Sequence, residues 1–258
     1  MSTATASQSL DISNTPRIPL TRLVGVELRK LADTRSGKWL LISIGLITAA
    51  IILIFFLAAE TDERTFLNFM GITATPQGFL LPVMGILLVT SEWSQRTAMV
   101  TFTLMPVRGR ILVAKVIAAM LAGLAAILLA MVVAAVATLV GGAEDAWANI
   151  GIDDIGKFGL LQLSGILQGL AFGLLLLNSA AAIVLYFVLP IAFSIITSLV
   201  SWFSDVQPWV DLGTSQTPLF SGVNLSNEQW AQLATGSLIW IVLPFVLGLI
   251  RVLRSELK

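Results

Sequence analysis

The sequence predicts an all-α integral membrane protein with six transmembrane helices. Of the 258 residues, 57% are hydrophobic and 12% are charged, and the mean hydropathy is +0.92. The charged share is about half that of an ordinary soluble domain. Apolar runs such as the one from Trp39 to Ala59 are long enough to cross the ~30 Å hydrocarbon core of a bilayer. We therefore expect the bilayer to cover most of the surface of this chain.

The N-terminal region is predicted to contain a tail and a surface helix. Residues 1–18, rich in Ser, Thr and Ala, are expected to form a disordered cytoplasmic tail, and residues 19–258 a single transmembrane domain. An amphipathic helix is predicted over residues 20–36 because apolar side chains recur there at helical spacing. On its polar side, Glu27 and Lys30 are placed to pair. The apolar stripe comprises Leu20, Leu23, Val24, Leu28 and Leu31.

Six spans follow this helix. Pro76 and Pro82 interrupt the second, which we expect to be kinked or to start late. Lys115, near one end of the third, is expected to extend its ammonium group to the interface. The polar pair Asn178-Ser179 separates spans four and five and predicts a tight hairpin. The spans are predicted at residues 39–59, 72–90, 112–140, 158–176, 180–200 and 234–250.

The distribution of basic residues predicts the orientation. If both termini are cytoplasmic, 13 of the 15 Lys and Arg residues fall on the cytoplasmic side, and only Arg64 and Lys157 fall outside. The positive-inside rule favours this arrangement. The expected location is the plasma membrane.

Several function classes are disfavoured by missing residues. The chain contains no Cys and no His, which removes the commonest metal ligands and general bases, and no nucleotide-binding P-loop motif is present. The zero net charge disfavours nucleic acid as a partner. No Asp or Glu lies inside a predicted span, which disfavours an ion-coupled carrier. We expect neither catalytic nor metal or cofactor sites.

The fourth span carries small and amide side chains that have two interpretations. Gly165, Gly169 and Gly173 are four residues apart and allow close helix packing, either between subunits or within one. Gln162 and Gln168 on the same helix are expected either to bond a neighbouring helix or to line a substrate path. The sequence leaves both alternatives open.

A polar stretch from Ser91 to Lys115 joins spans two and three. Trp93, Thr97 and Val100 recur at helical spacing and predict a short surface helix that ends at Pro106. Such a helix, tied to two spans, suits a lever on which a partner acts. The alternative is an ordinary positive-inside loop.

Family resemblance favours the lever. Glu92-Trp93, followed by Thr97, by Pro106 with Arg108, and by Lys115, resembles the cytoplasmic loop of permease subunits of type-2 ATP-binding-cassette (ABC) exporters. The segment Val26 to Leu31 resembles the elbow helix before the first span of that family. Six spans and a basic C-terminal tail are also similar. One departure is Arg96, where the family commonly has a small residue.

The resemblance implies a half-transporter. Two permease copies, identical or paralogous, would bind separate cytosolic ATPase subunits that carry ATP and Mg²⁺, and export a hydrophobic or amphipathic substrate. The coupling helix is expected over Glu92 to Met105, and the elbow helix carries Glu27, Arg29 and Lys30. The coupling residues implied are Glu92, Trp93, Arg96, Thr97, Val100, Met105, Pro106, Arg108 and Arg110.

Two alternatives remain. A membrane scaffold or sensor would recruit a cytosolic partner through the same loop without transporting anything. A membrane enzyme is the other, and the lack of His, Cys and acids within the membrane weighs against it.

Overall fold

The computed structural model describes residues 18–95, 97, 107–148, 150–200, 203–220 and 224–254. All regular secondary structure in these residues is helical. Six helices are long and apolar enough to cross a membrane, which confirms the predicted all-α, multi-pass membrane protein. The six are α2 (Arg35–Ala58), α3 (Phe66–Ser94), α4 (Arg108–Gly141), α5 (Ile152–Leu176), α6 (Ser179–Ser198) and α9 (Asn227–Arg254).

The amphipathic helix α1 (Leu20–Asp33) precedes them and packs on α4 and α2. It ends three residues earlier than predicted because Thr34 adopts an extended backbone and becomes the N-cap of α2. The Thr34 hydroxyl accepts a hydrogen bond from the Gly37 N–H. Gly37 therefore belongs to the first turn of α2.

Helices α3 and α5 form the centre of the bundle. In their most apolar parts 56% of residues are buried, against 17% in α2 and α6, which lie at the periphery. The central core contains fully buried Leu81 and Met84 of α3 and Ile166 and Leu170 of α5. Helix α3 contacts α2, α4, α5 and α6 and so connects most of the bundle.

The glycines of α5 explain how closely the central helices approach. A Cβ on Gly169 would overlap the backbone of Pro82, and one on Gly173 would lie 3.3 Å from Cα of Ile86. A Cβ on Gly165 would lie 3.3 Å from the Pro82 ring on the same face. Of the two interpretations of this glycine series, the contacts correspond to packing within one subunit.

Helix α3 is longer than its apolar run predicted. It begins at Phe66, where the Thr65 hydroxyl caps it by accepting from the Asn68 N–H, and it continues through Pro76 and Pro82. The expected late start is therefore wrong.

The segment between α6 and α9 packs against the bundle. It contains two short helices, α7 (Gln207–Val210) and α8 (Leu212–Gln216), and a 3₁₀ turn at Thr217–Phe220. Asp211 is buried and caps α8 by accepting from the Gly213 N–H at 3.1 Å. The Trp240 indole N–H of α9 donates to the carbonyl of Val210 at 2.7 Å.

Candidate functional site

Four charged side chains meet at the end of the bundle that carries α1. Glu27 and Lys30 come from α1, Glu92 from the last turn of α3, and Lys115 from the second turn of α4. Lys115 Nζ lies 2.7 Å from Glu27 Oε2 and 3.1 Å from Glu92 Oε1. Lys30 Nζ lies 2.8 Å from Glu27 Oε1 and 2.7 Å from Glu92 Oε1. We call these four residues the ion cluster.

Lys115 is the most deeply placed member. It is 1% exposed, and its ammonium group also donates to the carbonyl of Leu88 at 3.2 Å. Its three N–H donors are thus matched by three acceptors. The expectation that Lys115 extends to the interface is wrong, because two carboxylates inside the protein supply the partners that the interface would otherwise provide.

Glu27 is also buried, contrary to its predicted place on the polar side of α1. The buried face of α1 consists of Val24, Glu27 and Leu31. These positions recur at intervals of three and four residues, so Glu27 shares the face that packs on the bundle. Its pairing with Lys30 is present as predicted, but both carboxylate oxygens are engaged, the second by Lys115. Arg29 of α1 is exposed.

Lys30 lies on the solvent side of the ion cluster, and 37% of its side chain is exposed. Its partial burial on its own would lower the pKa of the ammonium group. Hydrogen bonds and attraction from Glu27 and Glu92 outweigh that effect, and the pKa of Lys30 is raised above its usual value of 10.5. Lys30 therefore stays charged at every physiological pH.

Glu92 is the acceptor shared by the two lysines. Its side chain is 4% exposed, so it faces the cluster and not a surface on which a partner would dock. Its second oxygen, Oε2, is buried without a hydrogen-bond partner among the described residues. Glu92 and Lys30 also line a cleft of about 280 Å³ whose wall includes the exposed residues Gln95 and Thr97.

The predicted coupling helix is only partly described. Glu92 and Trp93 belong to α3, which ends at Ser94, and not to a separate helix. The Thr97 N–H donates to the Glu92 carbonyl, five residues back, so the chain has left the α-helical pattern there. A single helix from Glu92 through Thr97 is therefore wrong. Arg96, Val100, Met105 and Pro106 lie outside the described residues.

The two arginines of the predicted coupling loop contact other parts of the same end. Arg108 donates to the carbonyl of Val252 in α9 at 3.0 Å, and Arg110 donates to the carbonyl of Ile18 ahead of α1 at 2.7 Å. The start of α4 is thereby linked to both ends of the described chain.

The hairpin between α5 and α6 joins the same end. Asn178 caps α6 by accepting from the Ala181 N–H. The Ser179 hydroxyl lies 2.7 Å from the Thr90 hydroxyl and 2.8 Å from the Ser94 hydroxyl, both on α3. The end of α3 therefore contacts α1 and α4 through Glu92 and the hairpin through Ser179.

A second polar group lies deeper, between α3 and α5. The Gln162 amide donates to Gln77 Oε1 at 3.2 Å and to the Ala74 carbonyl at 3.4 Å, and Gln77 donates to the Ala126 carbonyl of α4 at 3.2 Å. Of the two alternatives for Gln162, the bonds correspond to helix packing. Gln168, six residues further along α5, has no such hydrogen bond to a described residue.

Sequence reasoning identified Glu27, Lys30 and Glu92 but assigned no role at the site to Lys115. A signal was available: a lysine within an apolar helix requires an acid partner, and Glu27, Asp33 and Glu92 are the acids of the described residues that flank the spans at the matching end. Among the described residues, no three His, Cys, Asp or Glu side chains group as metal ligands. The ion pairs connect α1, α3 and α4 at this end of the bundle.

No family model matches this chain, and no curated protein matches it.

Proposed function

We propose that this chain is the membrane-spanning permease subunit of an ATP-driven exporter of the ABC type. A separate cytosolic ATPase would dock at the α1 end of the bundle, and a second permease copy would complete the transporter. Both termini and the α1 end would face the cytoplasm of the cell, as the excess of basic residues there favours.

The observation that carries this proposal is the ion cluster. It ties α1, α3 and α4 to one another at the end where the chain would meet a partner. A displacement of the loop after α3 would therefore move three helices together, because breaking the buried ion pairs would leave charges without partners. That is the mechanical property that a subunit without its own nucleotide site needs.

This interpretation changes the role of Glu92. The carboxylate would hold α3 against α1 and α4, while the exposed residues Gln95 and Thr97 would lie nearest to the ATPase. Arg108 and Arg110 would hold the start of α4 to α9 and to the segment ahead of α1. ATP binding would then shift these helices as a group and open a path for the substrate.

Site-directed crosslinking tests the docking site, because the chain contains no Cys and single cysteines can be added without background. Thr97→Cys is placed at the proposed site, and Ile152→Cys, 86% exposed at the opposite end of the bundle, is the matched control. The variants are crosslinked in native membranes, and the captured protein is identified by mass spectrometry.

We expect Thr97→Cys to capture an ATPase and Ile152→Cys to capture none. The rate of ATP hydrolysis by the captured ATPase is then measured in vesicles with and without the permease. Capture of a protein without ATPase activity, or an ATPase whose rate is unaffected by the permease, would favour the scaffold alternative. Equal capture by Ile152→Cys would contradict the docking site.

A further inference from the structure

A cavity of about 260 Å³ lies between α3, α5, α6 and the 3₁₀ turn at Thr217–Phe220. Its inner wall is formed by the buried amides of α5, and its outer wall by exposed side chains of α3 and of the turn. The residues that line it include Thr75, Gly78, Phe79, Gln168, Tyr186 and Phe220.

Two polar groups in this cavity have no partner in the part of the chain that the structure describes. Gln168 is 7% exposed, yet neither its amide nitrogen nor its amide oxygen is hydrogen-bonded there. The Tyr186 hydroxyl, on the facing wall, also has no hydrogen-bond partner among the described residues. The neighbouring amides differ, since Gln162 bonds Gln77, and Gln216 bonds Ser164 at 2.9 Å. The wholly buried polar side-chain atom without a partner among the described residues is Glu92 Oε2, so the unbonded amide of Gln168 reaches the open space of the cavity, where a ligand can bond it.

The cavity is open at the surface of the bundle. Phe79 and Phe220 are 52% and 62% exposed, and Thr75 beside them is exposed too. Aromatic side chains continue inward from this opening, since the Phe79 ring lies 5.4 Å from Phe187, which lies 4.8 Å from Tyr186. An apolar rim around a polar interior suits a molecule that arrives from the bilayer and inserts its polar end first.

The chemistry of the wall restricts the ligand. Of the described residues that line the cavity, none is Asp, Glu, Lys or Arg. A charged head group would therefore enter a low-dielectric site without a counter-charge, which is strongly unfavourable. Since a water molecule occupies ~30 Å³ in the liquid, the volume equals roughly nine waters, which fits a small polyol or ester head but not a whole lipid.

We propose that the cavity binds the uncharged, hydroxyl- or carbonyl-bearing head of a membrane amphiphile, with Gln168 and Tyr186 as its hydrogen-bonding residues. The proposal deepens the proposed function and rests on it for the statement that this ligand is cargo. Binding itself needs no ATPase. The apolar chains of the ligand would lie along Phe79 and Phe220, outside the cavity.

The test measures thermal unfolding of the purified full chain in detergent during titration with dioctanoylglycerol, a neutral amphiphile. The same titration with dioctanoyl phosphatidic acid supplies a charged head on equal chains. Gly78→Leu fills the cavity, since a Cβ there meets nothing within 4 Å. Gly159→Leu is the matched control, because it also meets open space but does not line the cavity.

We expect a saturable rise in Tm with dioctanoylglycerol for the wild type and Gly159→Leu, and none for Gly78→Leu. Gln168→Leu and Tyr186→Phe keep the shape of the cavity, and each is expected to weaken the apparent Kd about fivefold. Absence of a saturable shift in the wild type would overturn the proposal. So would an equal shift with phosphatidic acid, or an unchanged Kd in both conservative variants.

These outcomes separate the two proposals. A chain that captures and stimulates an ATPase but does not bind dioctanoylglycerol retains the proposed function and loses this ligand site. If the chain binds dioctanoylglycerol at Gln168 but engages no ATPase, the proposed ligand site is supported. The statement that this ligand is cargo is then contradicted.

Discussion

The ion cluster and the cavity beside Gln168 are both polar regions inside an apolar bundle, and they meet the demand for hydrogen bonds in opposite ways. In the ion cluster, two lysines and two glutamates neutralise each other, and three of the four carboxylate oxygens accept from an ammonium group. In the cavity, the amide of Gln168 and the hydroxyl of Tyr186 are uncharged and have no partner among the described residues.

The ion cluster is a rigid region of the molecule, and the cavity is an adaptable one. Paired charges in a largely buried site are expensive to separate, so the ion cluster holds three helices in one arrangement. Neutral groups cost far less to leave temporarily unpaired, so the cavity is the region able to exchange one ligand for another. In the transporter that we propose, the rigid site would lie at the ATPase and the adaptable site on the substrate path.

The largest effect is expected for Lys115→Met, which removes the central cation but retains a long side chain. Glu27 would lose one of its two partners, and Glu92 would keep only Lys30. Removing one partner of a buried ion pair costs about 3–5 kcal/mol. We expect a loss of that size in the free energy of unfolding, measured in detergent by fluorescence of the seven tryptophans.

Arg29→Met is the matched control, because Arg29 is exposed on α1; its effect is expected within about 0.5 kcal/mol. Adding Glu27→Gln to Lys115→Met is expected to recover part of the lost stability, since it removes one uncompensated charge. Wild-type stability in Lys115→Met alone would show that the cluster is not an energetic connection between α1, α3 and α4.

A smaller loss of unfolding free energy is expected for Gly169→Leu. Gly169 lies at the close contact between α5 and Pro82 of α3. The new side chain would overlap the backbone of Pro82, so α3 and α5 would have to separate. Overpacking of this kind costs about 1–3 kcal/mol. Gly159→Leu on the same helix meets open space and is expected to leave the thermal unfolding unchanged. If the two variants unfold at the same temperature, Gly169 does not lie at a close helix contact.

The six spans could be predicted from the sequence because a membrane selects long apolar helices, and each predicted span lies within an observed one apart from its last one or two residues in α2 and α6. The ends were less predictable. Polar turns such as the one that starts α3 at Phe66 are stabilised by caps and not by hydrophobicity.

The ion cluster shows what a single sequence hides. Glu27, Glu92 and Lys115 lie on three different helices, and their partnership depends on how α1 folds back onto α4. Because five apolar residues of α1 form a stripe, we expected Glu27 on the opposite, polar side. Its spacing from Val24 and Leu31 nevertheless fits the buried face. Likewise, nothing in the sequence distinguishes Gln162, which is bonded, from Gln168, which is not.

The two glutamines of α5 provide a more sensitive comparison. Gln162→Leu would break the bonds to Ala74 and Gln77, and hydrogen bonds between membrane helices average about 0.6 kcal/mol, with a maximum near 1.7. Gln168→Leu breaks none within the described chain, so no loss of unfolding free energy is expected. The same detergent unfolding assay checks both. A larger loss for Gln168→Leu would mean that Gln168 has a structural partner and is not kept for a ligand.

The smallest effect concerns pH at the exposed edge of the ion cluster. The pKa of Lys30 is raised in the folded protein above 10.5, so Lys30 stabilises the fold fully below its unfolded value. That contribution is lost as the pH rises through the folded pKa, because neutral Lys30 no longer attracts Glu27 and Glu92. The quantity to follow is the difference in unfolding free energy between the wild type and Lys30→Met, because contributions common to both proteins cancel. We expect this difference to be constant from about pH 7 to 9 and to shrink only at more alkaline pH, above the ordinary lysine value of ~10.4. A difference that shrinks already between pH 7 and 9 would mean that Lys30 loses its charge too early to be held by the two glutamates.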